Sequence, residues 1–365
     1  MGSLSVGILG CGNISDRYFK AGEEYESFDV TACADLDLDR AHEKATAYDI
    51  EGMHPDELCE SSTVDLIVNL TPPAVHEATS IAALEAGKHV YTEKPFAADT
   101  AGAEHILETA AEHGVLVGSA PDTILGSGIQ TVRQAIDDGV IGDPIGATAF
   151  FVGPGHDHWH PNPEIFYRSG GGPLFDMGPY YVSALTYLLG PVDAVYGSTR
   201  QPFSKRPLAL DPANDTVIDV SVPTYETGLI EFERGATATA VFSYDTHATT
   251  IAPQSSFEIH GTEGTLLASD PNHFEGQITV RSASDAEWHE IPPVDGPPHQ
   301  QRGLGVADLA KTLNGDWTQI TSGKFGAHVL ATMDGIRTAS ETGTAVSPSI
   351  TVEQPPALPT DADDW

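Results

Sequence analysis

The chain has 365 residues, with 53 Asp or Glu against 17 Lys or Arg, so its formal net charge is −36. This length allows two domains, each large enough to bury its own core. Acidic residues spread along the whole chain disfavour nucleic acids and anionic membranes as partners. They also predict a protein of a salt-rich cytoplasm, where screening weakens the repulsion between carboxylates. An ordinary acidic protein is the alternative.

Cysteine usage and hydropathy indicate the cellular compartment. Cys11, Cys33 and Cys59 are too few for a disulfide framework and form no Cys-x-x-Cys pair, which suits a reducing compartment. The sequence shows neither a signal peptide nor an apolar run of membrane-spanning length. We therefore expect a soluble, cytoplasmic protein.

Strand and helix patterns alternate over residues 1 to about 120. Strands are predicted at 4–9, 28–34, 65–70, 88–92 and 115–120. Helices are predicted from Ile14 onward and at 39–48, 74–86 and 100–113. This alternation is typical of a doubly wound parallel sheet, and the apolar Leu66-Ile67-Val68 fits a strand covered on both faces.

A glycine-rich turn, Gly10-Cys11-Gly12-Asn13-Ile14-Ser15, joins the first strand to the first helix. Gly10 permits a tight turn, and Gly12 allows the backbone to approach a pyrophosphate closely. Ser15 is small enough for helix and strand to pack together. The helix N-terminus offers free N–H groups to the anion. We predict a dinucleotide site here, with an ordinary strand–helix turn as the alternative.

Asp35 lies at the end of the second predicted strand, twenty residues beyond Ser15. A carboxylate there accepts hydrogen bonds from both ribose hydroxyls and repels a 2′-phosphate. The nearest following arginine is Arg40, five residues on. The pattern therefore predicts NAD rather than NADP, unless Asp35 is only a turn residue.

The pattern changes after residue 120. A helix at 123–138 precedes short β-like runs at 145–152, 194–198, 217–222, 227–233, 238–244, 256–260, 265–268 and 277–281. Helices at 306–313 and 327–340 follow, and 354–365 is expected to be extended or frayed. This predicts an α+β domain with a large, mostly antiparallel open sheet. The expected division is a dinucleotide-binding domain at 1–120 and a substrate-binding, oligomerisation domain at 121–365.

Two motifs carry a family resemblance. Tyr91-Thr92-Glu93-Lys94-Pro95 ends a predicted parallel strand, and Gly170-Gly171-Gly172-Pro173-Leu174-Phe175-Asp176-Met177-Gly178-Pro179-Tyr180-Tyr181 precedes an apolar helix. With the glycine turn and Asn69-Leu70-Thr71-Pro72-Pro73-x-x-His76, the chain resembles the glucose-fructose oxidoreductase, inositol dehydrogenase and rhizopine catabolism (Gfo/Idh/MocA) family. The likeness continues through residues 258–266 and 302–305.

The resemblance implies an α/β Rossmann domain followed by the open-sheet domain, with dimers or tetramers formed through that sheet. It implies NAD(P)-dependent oxidation or reduction of a sugar, cyclitol or related polyol. Lys94 matches the family lysine that bonds the reacting hydroxyl and approaches the nicotinamide. Asp176 matches the acid that opens the site helix, and Tyr180 matches the proton-transfer position. The residues expected to bind the cofactor are Gly10, Gly12, Asn13, Ile14, Asp35, Thr71, Pro72, His76, Glu93 and Lys94.

Oxidation of a secondary alcohol needs a base for the hydroxyl proton. A tyrosine near its reference pKa of about 10 is a weak base, and a nearby ammonium group lowers that value. Lys94 and Tyr180 are expected to share the proton step, with Asp176 orienting Lys94 or a substrate hydroxyl. Which of the two takes the proton is open. Lys94 as a solvated charge and Asp176 as a helix N-cap are the structural alternatives.

Other parts of the chain suggest substrate contacts. The loop Gly155-His156-Asp157-His158-Trp159-His160 contains side chains that bond hydroxyls and stack on sugar faces, so His158, Trp159 and His160 are predicted substrate residues. A metal site there is the less favoured reading, because the loop lacks a complete ligand set. Tyr167 is predicted as pocket wall or core. Asp122 stands where many members of the resembled family carry a cationic residue, and we expect it to contact the substrate. Because of this difference, the substrate of those members does not carry over to this chain. Pro179 fits only the first turn of a helix.

The leading interpretation is an NAD-dependent dehydrogenase of a sugar, sugar derivative or cyclitol. One alternative is a redox-assisted glycosidase, which retains its cofactor and produces no net NADH. Another is a non-catalytic dinucleotide-binding sensor, which the presence of Lys94, Asp176 and Tyr180 disfavours. We expect no metal ion, and we expect the protein to form a homodimer or homotetramer.

Overall fold

A computed structural model describes residues 3–208, 216–250, 257–297, 299–315 and 317–359. The chain divides into two compact units. The first contains Met1–Ser127, Asp295–Leu330 and Pro355–Trp365, and the second contains Gly128–Val294 and Ala331–Gln354, each apart from residues outside the described ranges.

The first unit is built on a six-stranded parallel sheet. Its strands are β1 (Leu4–Leu9), β2 (Phe28–Ala34), β3 (Glu51–Met53), β4 (Leu66–Asn69), β5 (His89–Thr92) and β6 (Val117–Ser119). They lie side by side in the order β3-β2-β1-β4-β5-β6, and every neighbouring pair is parallel. All four residues of β4 are buried, as expected for a central strand covered on both faces.

Helices connect these strands. They are α1 (Ser15–Glu24), α2 (Leu38–Tyr48), α3 (Pro55–Glu60), α4 (His76–Glu85) and α5 (Thr100–His113), with a 3-10 turn at Pro73–Val75. Local chemistry sets their ends: Asp37 caps α2 and Asp99 caps α5 by accepting from backbone N–H groups, and Gly114 ends α5 in the left-handed conformation.

A C-terminal helix also belongs to the first unit. This helix, α8 (Leu304–Asn314), packs against β2, β5 and β6. Its buried Asp308 accepts hydrogen bonds from the N–H and hydroxyl of Thr321, at 2.8 and 2.7 Å, and from Trp317 Nε1 at 2.7 Å. The contact-defined units therefore differ from the predicted division at residue 120, because residues 295–330 pack with the parallel sheet rather than with the open sheet.

The second unit contains an eight-stranded sheet. Its strands are β7 (Pro144–Val152), β8 (Val192–Arg200), β11 (Tyr225–Phe232), β12 (Thr237–Ser243), β13 (Phe257–Gly261), β14 (Gly264–Ala268), β15 (Ile278–Ser282) and β16 (His289–Ile291). Their order is β16-β15-β14-β13-β7-β12-β11-β8, and only β7 and β12 pair in parallel. A separate ribbon pairs β9 (Lys205–Pro207) with β10 (Val217–Asp219). The other helices of the described residues are α6 (Ser127–Asp137), α7 (Pro173–Leu189) and α9 (Gly323–Thr342), and the boundary between the units falls within α9, after Leu330.

The two faces of the large sheet differ in burial. One face packs against α7, where Tyr181 contacts Phe242 and Phe257. Residues on the other face are exposed or half-buried, and Leu229 stands there between Tyr196 and Thr239 in the strand register. The predicted fold class, a doubly wound parallel sheet plus a mostly antiparallel open sheet, is confirmed.

Most predicted elements form, and several have the predicted bounds: β1, β2 and α5. Short elements were missed, namely β3, α3, β9 and β16. The expectation for Pro179 was wrong, because α7 begins at Pro173 and Pro179 lies inside it. Ser256 of one predicted strand, and 360–365 of the predicted tail, lie outside the described residues. Among the described residues, no helix is long and apolar enough to cross a membrane.

Candidate functional site

The glycine turn after β1 has the features that a pyrophosphate needs. Gly10 has a φ of 101°, and a Cβ there would stand 3.0 Å from the carbonyl carbon and oxygen of Leu70, so the position requires glycine. A Cβ at Gly12 would meet no atom within 4 Å. Ser15 is fully buried, and its hydroxyl donates to the Gly12 carbonyl at 2.6 Å. The turn is thus held from the protein side, with open space beside Gly12.

Asp35 ties this turn to the end of β2. Its Oδ2 accepts from the Cys11 N–H at 2.9 Å, and its Oδ1 accepts from the Asp37 N–H at 2.9 Å. Arg40, on α2, reaches both carboxylates, with nitrogen–oxygen distances of 3.4 Å to Asp35 and 3.3 Å to Asp37. Asp35 therefore bonds the backbone of the segments that follow β1 and β2 and pairs with Arg40, and its contact with a ribose stays a prediction.

The segment that follows β4 is fixed by buried polar groups. The Asn69 amide donates to Thr79 at 2.8 Å and Ser80 at 3.0 Å, and its oxygen accepts from the Thr71 hydroxyl at 2.6 Å. Thr71 is half-buried and Pro72 is exposed. Thr71 and Pro72, both predicted to bind the cofactor, therefore lie on a loop that hydrogen bonds to Asn69 hold in place.

His76 joins this loop to the segment after β5. Its ring is 1% exposed, with Nδ1 2.8 Å from the Pro95 carbonyl oxygen and Nε2 2.7 Å from that of Thr71. Burial lowers the pKa of the imidazole, and the two backbone bonds oppose that shift. Both ring nitrogens are thus engaged by backbone oxygens. The structure gives His76 a positional role, and its direct contact with a cofactor stays a prediction.

Glu93 anchors the backbone of Lys94. Its Oε2 accepts from the Lys94 N–H at 2.9 Å, while its Oε1 accepts from the Tyr18 hydroxyl at 2.8 Å. Burial raises the pKa of Tyr18, which keeps the phenol protonated and able to donate. Lys94 itself is half-buried at the carboxyl end of β5. Tyr18 comes from α1 and was missed, because nothing in its local sequence distinguishes it from a core tyrosine.

Asp122, predicted as a substrate residue, is fully buried. Its oxygens accept from Arg302 at 3.2 Å and from the N–H groups of Gly303 and Gly305 at 2.9 and 3.2 Å. Burial raises the pKa of Asp122, and Arg302 opposes that shift. These bonds give the carboxylate a structural role at the start of α8, and its contact with a substrate stays a prediction.

In the second unit, Asp176 and Tyr180 lie one turn apart on α7. The helix cap is Gly172, so Asp176 stands in the first turn and the N-cap alternative was wrong. The start of the helix is held by buried Glu226, which accepts from the Leu174 N–H at 3.0 Å and pairs with Arg337 at 2.7 Å. Tyr180 is 6% exposed. Asp176 Oδ2 accepts from the Tyr244 hydroxyl at 2.8 Å and lies 3.0 Å from His156 Nε2.

The loop predicted to contact substrate contains residues of two kinds. His158 and Trp159 are exposed, Trp159 at 55%, and His160 is half-buried. Tyr167 is fully buried in a cluster with Ile218, Val220 and Tyr244, which favours the core interpretation for it. Within the described ranges, no group of three or more His, Cys, Asp or Glu side chains is arranged to hold a metal ion.

Comparison with known proteins places these features in a family. The model of an oxidoreductase family with an NAD-binding Rossmann fold matches residues 4–120, and the model of the Gfo/Idh/MocA C-terminal domain matches residues 129–267. The chain belongs to the Gfo/Idh/MocA family. Its first unit contains an NAD-binding Rossmann domain, so the predicted dinucleotide-binding domain, its NAD cofactor and the family resemblance are confirmed.

Relatives within the Gfo/Idh/MocA family cover most of the chain. A 1,5-anhydro-D-fructose reductase of Ensifer adhaerens is 28% identical over 80% of this chain and 81% of its own length. A dTDP-3,4-didehydro-2,6-dideoxy-alpha-D-glucose 3-reductase of Actinomadura kijaniata is 27% identical over 87% and 91%, respectively. The crystal structure of an NAD-binding oxidoreductase from Klebsiella pneumoniae matches with a TM-score of 0.82 at 22% identity, covering 95% of this chain and 99% of that one. That structure shows the shared fold.

Proposed function

We propose that this Gfo/Idh/MocA protein transfers hydride between NAD and a hydroxyl-bearing carbon of a sugar, sugar derivative or cyclitol. The observation that carries the proposal is that the chain has, just after β5 of the NAD-binding domain, the lysine Lys94, and, one turn apart on α7 of the second unit, the carboxylate of Asp176 and the phenol of Tyr180. The two reductases that cover most of the chain act, by their names, on sugar derivatives, which supports this substrate class.

The residues of the first unit fit the cofactor. Gly10 and Gly12, with Asn13 and Ile14 at the start of α1, are proposed to hold the pyrophosphate at the helix N-terminus. Asp35 is proposed to accept from the adenosine ribose, and Thr71, Pro72, His76 and Glu93 to line the rest of the site. When bound, NAD supplies the hydride acceptor or donor.

The proton step falls to the chain's own side chains. We propose that Lys94 and Tyr180 share the hydroxyl proton and that Asp176 orients Lys94 or a substrate hydroxyl. Lys94 matches the family lysine that forms a hydrogen bond to the reacting hydroxyl. Exposed Trp159, with His158 and His160, is proposed to bind the outer part of the sugar; roles for Tyr167 and Asp122 rank below these because both are fully buried.

The charge balance and the open sheet suggest the setting of this activity. With a net charge of −36, we propose a cytoplasmic enzyme of a salt-rich organism. The exposed face of the large sheet, which includes Tyr196 and Leu229, is proposed to pair with a second copy of the chain.

A substrate screen tests the activity. With NAD in molar KCl, some sugars, sugar derivatives or inositols should produce NADH, measured by its absorbance. Lys94→Ala and Tyr180→Phe should each lower kcat by about 10²-fold or more, because each removes a proton-transfer group. Lys20→Ala, at an exposed lysine, is the matched control and should retain activity. Turnover without net NADH would indicate the redox-assisted glycosidase, and NAD binding without turnover would indicate a sensor.

Cofactor preference tests Asp35. The wild type should prefer NAD to NADP in kcat/KM. Asp35→Asn removes the charge but keeps an oxygen acceptor for the Cys11 N–H, so that preference should fall about tenfold as Arg40 becomes available to a 2′-phosphate. Asp39→Asn, at an exposed acid on α2, should leave it unchanged. A wild type that prefers NADP would contradict the assignment.

Salt dependence tests the proposed environment. Circular dichroism and thermal melts should show a folded protein in molar KCl and progressive loss of structure on dilution to millimolar salt, where the Debye length grows to about 30 Å at 0.01 M. A fold and melting temperature unchanged by that dilution would identify an ordinary acidic protein instead.

Association through the open sheet is tested by two charge substitutions. Leu229→Glu, on the exposed face, should shift the protein to monomers in size-exclusion chromatography with light scattering. Ile145→Glu, at a 55% exposed residue on the opposite face of the same sheet, should not. An unchanged mass for Leu229→Glu would place any interface elsewhere.

A further inference from the structure

Tyr244 and His156, from distant parts of the chain, both contact the carboxylate of Asp176. Tyr244 directly follows β12 and is fully buried, and its hydroxyl donates to Asp176 Oδ2 at 2.8 Å. His156 lies in the loop after β7, 9% exposed, with Nε2 3.0 Å from the same oxygen and 3.2 Å from the Tyr244 hydroxyl. Neither contact is part of the function proposed above.

The proton positions follow from the chemistry of the three groups. Burial, together with the neighbouring Asp176 carboxylate, raises the pKa of Tyr244 well above its ordinary value. The phenol therefore stays protonated and donates a hydrogen bond to Asp176. The carboxylate then accepts from His156 as well, which places the imidazole proton on Nε2. The buried Nδ1 of His156 has no hydrogen-bond partner among the described residues. The imidazole is therefore oriented by its bond to Asp176.

One arginine connects the two segments that hold Asp176. Arg206 on β9 is 7% exposed and donates to Asp157 at 3.1 Å and to Asp245 at 2.7 Å. Asp157 directly follows His156, and Asp245 directly follows Tyr244. A single buried cation thus fixes the residue next to each contact of Asp176.

Tyr167 completes the connection. Its hydroxyl donates to Asp157 at 2.7 Å and accepts from the backbone N–H of His156 at 3.1 Å. The guanidinium of Arg206 lies over its ring, 5.2 Å from the centroid. The buried Tyr167 therefore sets the backbone of His156, which explains why a tyrosine of a predicted pocket loop lies in the core.

We propose that Tyr244 and His156 are positioning residues that hold the Asp176 carboxylate in its working orientation, and that Arg206 keeps the two segments carrying them in register. This inference rests on the proposed function, because it assumes that Asp176 acts in hydride transfer. Displacing a reacting group by about 1 Å can cost about 10²-fold in rate. The network therefore acts on turnover through the placement of Asp176.

A double-mutant cycle separates this role from a general effect on folding. Tyr244→Phe removes one hydroxyl and keeps the ring, so kcat should fall about tenfold while the dissociation constant for NAD changes less than about twofold. In an Asp176→Asn background, the same substitution should lower the residual kcat by less than about twofold, because the group it positions has already been altered. Equal losses in both backgrounds would overturn the proposal.

Conservative replacements test the other two residues. His156→Gln retains an N–H donor and should keep more activity than His156→Leu, which has none. Arg206→Lys retains the positive charge but loses the forked set of N–H donors. Its kcat should therefore lie between that of the wild type and that of Arg206→Met. Tyr187→Phe is the matched control: this buried tyrosine of α7 bonds Gln130 at 3.0 Å, and its loss should leave kcat within about twofold. Equal kcat for His156→Gln and His156→Leu would contradict the role of His156.

A structural readout keeps this inference separate from the proposed function. If Asp176→Asn retains wild-type turnover, the catalytic assignment of Asp176 fails, whatever the cycle shows. Crystal structures of the wild type and of the His156→Leu/Tyr244→Phe protein test the positioning without activity: the Asp176 side chain should change rotamer or become disordered in the variant. An unchanged Asp176 side chain would overturn the positioning role even in an active enzyme.

Discussion

A loop that leaves a strand must find partners for its own backbone groups before it can present any of them to a ligand. In the NAD-binding unit, side chains that are buried or half-buried supply these partners. Asp35 bonds the Cys11 N–H, Glu93 bonds the Lys94 N–H, and His76 reaches the carbonyls of Thr71 and Pro95. The polar residues of the family motifs thus hold the backbone of the segments where the cofactor is expected. This explains why a histidine and a glutamate predicted only as cofactor ligands have so many contacts within the protein.

The sequence was most informative where one local signal determines one local structure. The glycine turn, the buried β4 and α5 were all predicted from residues adjacent in the chain, because backbone sterics and the pattern of apolar side chains act over a few positions. The partners of Asp176 were not, since Tyr244 lies 68 residues further along and His156 lies 20 residues before it. The loop containing His156 was singled out, but for side chains able to bond hydroxyls and stack on sugar faces. Only the pairing of strands reveals which of those side chains faces α7.

The scarcity of basic residues gives each buried cation a defined place. The chain has ten arginines, and three of them, Arg206, Arg302 and Arg337, pair with carboxylates that are almost or entirely buried. A buried carboxylate without a cation or a set of hydrogen-bond donors is strongly destabilising. These arginines meet that need in their pairs, whereas the buried Asp308 meets it with neutral donors from Trp317 and Thr321. Most other acids then remain at the surface without a cation. The low number of basic residues therefore has two consequences. It leaves the excess of negative charge that predicts a need for salt, and it leaves few cations, several of which pair with buried carboxylates in the two units.

Family membership and substrate identity come from different parts of this chain. The segments that match the family indicate an NAD cofactor. In the proposed function, side chains outside the family motifs must recognise the part of the sugar that does not react. The loop after β7 is suited to this division because its two halves differ. At His156 and Asp157 it is buried and fixed by Asp176 and Arg206, while two residues later Trp159 is 55% exposed. In the proposed function, substitutions in the exposed half would change which hydroxyls are recognised, while the buried half keeps its contact with the Asp176 carboxylate.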